Sequence, residues 1–121
     1  MAEQCSVIIN NREFIPKDSV AKAEIYQGMS YQIVRTHSAG VFAGYVESRK
    51  GQEVVMRHVR RLWMWDGAAS LSQLAVEGTK KPENCKFPCV VDRIVITQAT
   101  EILDVTEKAR KSIEAVPIWQ I

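Results

Sequence analysis

Between residues 30 and 65 three β-patterned runs follow one another with only a few residues between them, and this spacing sets the architecture. Residues 30–36 (Ser-Tyr-Gln-Ile-Val-Arg-Thr) and 41–48 (Val-Phe-Ala-Gly-Tyr-Val-Glu-Ser) are rich in β-branched and aromatic side chains, and a longer run extends from about Glu53 to Trp65. The gaps contain Gly40 and Gly51, so each turn has a residue free to adopt a left-handed backbone. Connections this short join neighbouring antiparallel strands.

The rest of the chain adds to that frame. Residues 5–9 and 12–15 flank Asn10-Asn11, which reads as a tight hairpin turn. Residues 18–28 fit a short helix or a strand, since Ala21, Ala23 and Gln27 leave the choice open. Ser70 followed by Gln73 fits a capping box and Gly78 a helix stop, which predicts a helix over 70–77. After a polar loop, 79–86, come strands at 89–97 and 100–105. Thr106 then caps a helix to about Ala115, with Ala109, Ile113 and Val116 on one stripe. Pro16, Pro82, Pro88 and Pro117 punctuate element ends. The expected fold is α+β: a mainly antiparallel sheet of hairpins with two short helices. It forms a single domain over residues 1–121, in which 1–28 are an N-terminal extension to a core of 29–121.

Composition narrows the class. With 46% hydrophobic and 25% charged residues the chain matches ordinary soluble globular proteins. No apolar run approaches the roughly 20 residues that span a bilayer, and Met1-Ala2-Glu3-Gln4-Cys5 has no export pattern, so a cytoplasmic protein without membrane partners is expected. Cys5, Cys85 and Cys89 have no histidine at metal-ligand spacing, so no metal site is expected and the thiols read as small apolar side chains. The net charge of +2 argues against indiscriminate binding of double-stranded nucleic acid. That charge is unevenly spread: residues 35–65 carry six basic and two acidic side chains, while the segments on either side are each slightly acidic.

The basic segment also holds the candidate ligand groups. If the third run were regularly extended, Arg57, Val59, Arg61, Trp63 and Trp65 would share one face, and Met56, His58, Arg60, Leu62 and Met64 the other. Indole rings stack on bases and guanidinium forks grip phosphate oxygens, a combination suited to a nucleotide. The alternative is that the tryptophans are core and the arginines its rim, and a β-bulge would reassign the faces. The turn Arg35-Thr36-His37-Ser38-Ala39-Gly40-Val41 offers backbone amides and small side chains that could cradle phosphate, although an ordinary strand connection looks much the same. Asp66-Gly67-Ala68-Ala69-Ser70 leads a glycine turn into a helix start, with simple capping as the alternative. The candidate ligand-binding residues are therefore Arg35, Thr36, Ser38, Ala39, Gly40, Val41, Arg57, Arg61, Trp63, Trp65, Gly67 and Ser70. No catalytic spacing stands out around His37, His58 or Cys85, and no cofactor motif is present, so a protein that is not an enzyme and uses no cofactor is expected.

Arg35-Thr36-His37-Ser38-Ala39-Gly40-Val41 and Arg60-Arg61-Leu62-Trp63-Met64-Trp65-Asp66-Gly67-Ala68 resemble a small domain family of bacteriophages and prophages, a likeness that runs from residue 30 to residue 120 or so. It continues through Lys81-Pro82-Glu83-Asn84-Cys85-Lys86-Phe87 and Glu107-Lys108-Ala109-Arg110-Lys111-Ser112-Ile113, and leaves out the first 28 residues. In size and architecture the chain is similar to the phage sponges of the Thoeris anti-defence and anti-CBASS kinds, which sequester nucleotide second messengers. That resemblance implies a homo-oligomer in the host cytoplasm that binds a cyclic oligonucleotide or a cyclic ADP-ribose without cleaving it. No pocket residue of a known sponge is carried over. Two other readings remain open from the residues: a phage protein that inhibits a host protein through an interface, and a single-stranded nucleic-acid binder.

Overall fold

The computed structural model describes residues 21–121. The expected strands 5–9 and 12–15, with Asn10-Asn11 and Cys5, lie outside the described residues, as does the start of the 18–28 segment. The described part of that segment is neither helix nor strand. It makes a single bridge from Lys22 to Thr106, then turns at Tyr26–Met29 through paired backbone bonds of 3.0 and 2.9 Å. Gln27 and Gly28 have φ of 52° and 81°, the geometry of a two-residue type I′ turn.

Five strands follow, β1 (Ser30–Thr36), β2 (Val41–Lys50), β3 (Glu53–Arg61), β4 (Val91–Ile96) and β5 (Ala99–Asp104), with helices α1 (Leu71–Glu77) and α2 (Glu107–Ala115). They form one antiparallel sheet in the order β4-β3-β2-β1-β5. The architecture is the mainly antiparallel α+β fold that the sequence predicts. Both caps form: Ser70 accepts from the Gln73 amide at 3.1 Å, and Thr106 accepts from the Ala109 amide at 3.0 Å.

One connection differs from a hairpin. β4 and β5 are separated by Thr97-Gln98 alone, yet they do not pair with each other and lie at opposite edges of the sheet. In a flat five-stranded sheet the edges would stand about 19 Å apart, four spacings of roughly 4.8 Å. Three Cα–Cα steps cover at most about 11 Å. The sheet is therefore rolled, and the link ties two of its corners together. There the Ala99 amide donates to the Gln52 carbonyl and the His37 amide to the Gln98 carbonyl, both at 3.0 Å.

Rolling gives the sheet an inner and an outer face, each with its own core. The inner face buries Val34, Phe42, Val54, Met56, Val59 and Ile96. On the outer face Tyr31, Ile33, Ala43, Tyr45 and Leu62 pack beneath the helices, against Leu74, Ala109, Ile113 and Phe87. Full burial of side chains such as Phe42 and Ile113 contributes about 1.5–3 kcal/mol each.

β3 changes register between these cores. Its partners on β2 are Phe42 for Arg61, Ala43 for Arg60, Tyr45 for Arg57 and Val46 for Met56. One residue lies between Ala43 and Tyr45 but two lie between Arg57 and Arg60, so β3 carries one extra residue. The bulge centres on His58, whose φ is 47°. Directly opposed residues share a face, which puts Arg61 with Phe42 and Arg57 with Tyr45, on opposite sides. The expected common face of Arg57 and Arg61 is thus divided; Val59 and Arg61 remain inner, while Arg57, Arg60 and Leu62 are outer. Gly44 permits the bulge, because a Cβ there would sit 2.7 Å from both Cα and Cβ of Val59.

Candidate anion pocket at the closed corner of the sheet

Where the β4–β5 link meets the β1–β2 turn, a cavity of about 180 Å3 opens on the inner face. Thr36, Ser38, Ala39, Phe42, Arg61 and the Ile94–Gln98 stretch line it. The position of Arg61 follows from the bulge, which turns it toward Phe42. Its guanidinium carbon lies 4.7 Å from the centre of that ring, a cation–π contact that holds the fork at the cavity wall. No carboxylate among the described residues pairs with it. Gly40 approaches closely, its notional Cβ 4.0 Å from Arg61 Nε.

The turn itself is braced from within. The Thr36 hydroxyl donates to the Gly40 carbonyl at 2.8 Å and accepts from the Ala39 amide at 2.9 Å. The Thr36 amide also bonds Gly40, at 3.0 Å, and the His37 amide bonds Gln98. Three of the amides expected to cradle phosphate are therefore used by the protein. The polar residues that line the cavity are Thr36, Ser38, Arg61, Thr97 and Gln98, with Phe42, Ile94, Val95 and Ile96 as apolar lining. Such a set can bind an oxyanion; it holds no nucleophile–base pair.

The structure brings together Thr36, Ser38, Ala39, Gly40 and Arg61 of the sequence candidates. Leu62, whose amide donates to the Val41 carbonyl, is buried outward, and Trp63, past the end of β3, is 63% exposed and does not line the cavity. The other candidates lie elsewhere. Arg35 alternates away from Thr36 and pairs with Glu101 at 3.5 Å. Arg57 is held by Glu47 at 3.1 Å and Asp92 at 3.4 Å. Val41 and Trp65 pack against the outer core. Gly67 has φ 83° and no room for a Cβ, which would stand 2.4 Å from the Lys81 amide nitrogen; its own amide donates to the Asp66 carboxylate at 2.8 Å. Hydrogen bonds from the Asn84 side chain and the Gly67 amide hold the Asp66 carboxyl below its usual range. Ser70 is occupied as the cap of α1. The helix-start candidates thus build a turn rather than reach the cavity.

Phe42, Thr97 and Gln98 were not singled out from the sequence. Thr97 falls in the strand expected over 89–97, and nothing in the sequence says which strands the Thr97-Gln98 link joins. Among the described residues no cluster of three or more potential metal ligands occurs, and no helix is long and apolar enough to cross a membrane. Cys85 is buried, with its sulfur 3.5 Å from the Asp66 amide, and Cys89 is exposed.

Residues 29–113 match the domain family described as a domain of unknown function, DUF6948. No curated protein and no solved structure matches the chain.

Proposed function

The chain belongs to the DUF6948 family through residues 29–113, and because that family carries no assigned activity, we propose from the geometry that it is a non-catalytic binding protein for a phosphate-bearing ligand of nucleotide type. The observation that carries this reading is the Arg61 guanidinium, unpaired among the described residues, stacked on Phe42 and facing a cavity rimmed by Ser38, Thr97 and Gln98. Trp63, exposed two residues further along the chain, is the ring on which a base would stack. A cavity of about 180 Å3 takes a phosphate with part of a sugar but is below the size of ordinary small-molecule sites, roughly 300 Å3 and up. A whole nucleotide needs a further wall, which a second copy of the chain would supply. In this reading the protein is a homo-oligomer.

The likeness to phage anti-defence sponges supplies the biological setting: sequestration of a cyclic oligonucleotide or cyclic ADP-ribose signal in the host cytoplasm. The purified chain is incubated with a panel of both ligand kinds, separated from free ligand and heat-denatured. Release of intact ligand, weakened by Arg61→Ala and by Trp63→Ala, supports the proposal. No retention of any member, or recovery of a cleaved product, sinks it.

The exposure of Trp63 favours one other reading, an interface anchor for a host protein. It predicts a defined partner in a host-lysate pulldown that Trp63→Ala loses, with no retained nucleotide.

A further inference from the structure

We propose that the outer-face cavity formed by Tyr26, Tyr31, Tyr45, His58, Arg60 and Glu114 is a second ligand site, which takes a flat, neutral or anionic heteroaromatic ring bearing hydrogen-bond acceptors. The cavity measures about 350 Å3, enough for one ring system. Its aromatic walls are close but not parallel. Tyr26 and Tyr45 have centroids 5.2 Å apart at 44°, Tyr26 and His58 5.4 Å at 73°, and Tyr31 and Tyr45 5.1 Å at 75°. The rings are in mutual contact, and at these tilts they turn both faces and edges toward the adjoining cavity, surroundings in which a further ring packs well.

Two polar groups define what that ring must carry. Tyr31 is 3% exposed, yet its phenol makes no hydrogen bond with any described residue. Buried polar atoms almost always have a partner, so an unpaired one at a cavity wall points to something that fills the cavity. Glu114, Tyr45 and Arg60, whose charges act on this phenol, line the same cavity. Burial pushes the phenol far above its usual range, so it stays a proton donor. Arg60 is the second group. Its Nε and terminal nitrogens donate to the carbonyls of Pro88, Ile113, Val116 and Phe87 at 2.8–3.0 Å. Those contacts use four of its five N–H groups.

The charge of Arg60 also decides the sign of the ligand. Among the described residues it meets four carbonyl dipoles and the Phe87 ring, 5.5 Å from its guanidinium carbon, but no paired carboxylate; the one carboxylate in the wall, Glu114, is taken by Arg110 at 2.6 Å. A tyrosine-lined space would otherwise suit an ammonium ion through cation–π attraction; here a buried guanidinium repels it. An acceptor-bearing ring satisfies both Tyr31 and the remaining Arg60 donor. His58 reaches the cavity because the bulge gives it a positive φ, which non-glycine residues seldom adopt and which costs energy.

This site is independent of the Arg61 pocket, since Tyr45 and Arg60 face outward and Arg61 inward. The full chain, labelled with 13C at its tyrosine rings, is titrated with adenine, uracil, orotate and tetramethylammonium and followed by aromatic NMR and calorimetry. Saturable shifts of the Tyr26, Tyr31 and Tyr45 rings are expected with at least one of the three heterocycles and not with tetramethylammonium. Tyr26→Ala should weaken that binding about tenfold through lost stacking. Tyr31→Phe should weaken it about 3–10-fold through one lost hydrogen bond while leaving Tm unchanged or raised. Arg61→Ala should leave it unaltered. The proposal is overturned if no heterocycle gives saturable shifts, if tetramethylammonium binds as tightly, or if Tyr31→Phe lowers Tm, which would show that the protein itself partners the hydroxyl.

Discussion

Arg60 is 3% exposed and joins three parts of the chain that are distant in sequence: β3, the loop at Phe87 and Pro88, and the C-terminal carbonyls of α2. Burial lowers its pKa, yet the fork matches four carbonyls at once, and two of them lie at the negative end of a helix dipole. Arg60→Met keeps the apolar stem but strands those carbonyls, and a loss of roughly 3 kcal/mol is expected in urea denaturation. Arg60→Lys should restore only part, because one ammonium cannot reach all four. Gly67→Ala tests a different constraint. With φ 83° and backbone nitrogens of Lys80 and Lys81 within 2.6 Å of the added Cβ, it should cost about 2–4 kcal/mol, with no change in ligand retention. At this scale the sequence was only partly legible. Arg61 stays with the Thr36–Gly40 turn, while Trp65, packed in the outer core with Leu62, shows that alternation does not continue past the end of β3. Arg57 is parted from Arg61 because one residue, His58, is inserted, and nothing in Arg57-His58-Val59-Arg60 announces a bulge. Alternation counted through it grouped Met56 with His58 and Arg60, whereas Met56 is in the inner core and His58 and Arg60 line the outer aromatic cavity.

Among the elements, α2 carries the main charge cluster. Glu107, in its first turn, accepts from the Glu24 amide at 3.0 Å and pairs with Arg110, fastening residues 21–24 to the helix. The Arg110 guanidinium is the main cause that holds the Glu107 carboxyl down to about 2. A carboxyl depressed in the folded state stabilises it above the ordinary glutamate range, and that contribution is lost as pH falls from about 4.5 toward 2. Asp66 and Asp104 are shifted in the same direction. Thermal melts between pH 6 and pH 2.5 should show Tm falling mainly below pH 4.5, with a shallower slope in Glu107→Gln. An equal slope in that variant would remove Glu107 from the account. Helices and central strands were the legible elements here, because Ser70, Gly78 and Thr106 mark helix ends chemically and residues 30–36 and 41–48 are rich in β-branched and aromatic side chains. The third run ends at Arg61, short of Trp65, because the chain past Leu62 leaves the β2 ladder.

At the scale of the molecule, what sequence could not supply was the pairing of the last two strands. The strands expected over 89–97 and 100–105 fit the general expectation of hairpins; in the structure Ile96 enters the inner core while β5 pairs with β1 at the other edge of the sheet. The Arg61 pocket exists only because of that closure, since its wall from Ile94 to Gln98 comes from the far edge of the sheet. Inserting two glycines between Thr97 and Gln98 tests this directly. Lengthening a connection costs little in loop entropy, under about 1 kcal/mol. It does, however, free the two edges from their fixed separation and loosens the His37–Gln98 bond that braces the turn. Ligand retention at the Arg61 pocket should fall at least tenfold, while Tm drops by only a few degrees and the tyrosine-ring shifts on the outer face persist, because Tyr31, Tyr45 and Arg60 are held by β1, β2, β3 and α2 rather than by the link. A variant that keeps full retention would show that the pocket does not depend on the rolled corner, and the binding role assigned to Thr97 and Gln98 would go with it.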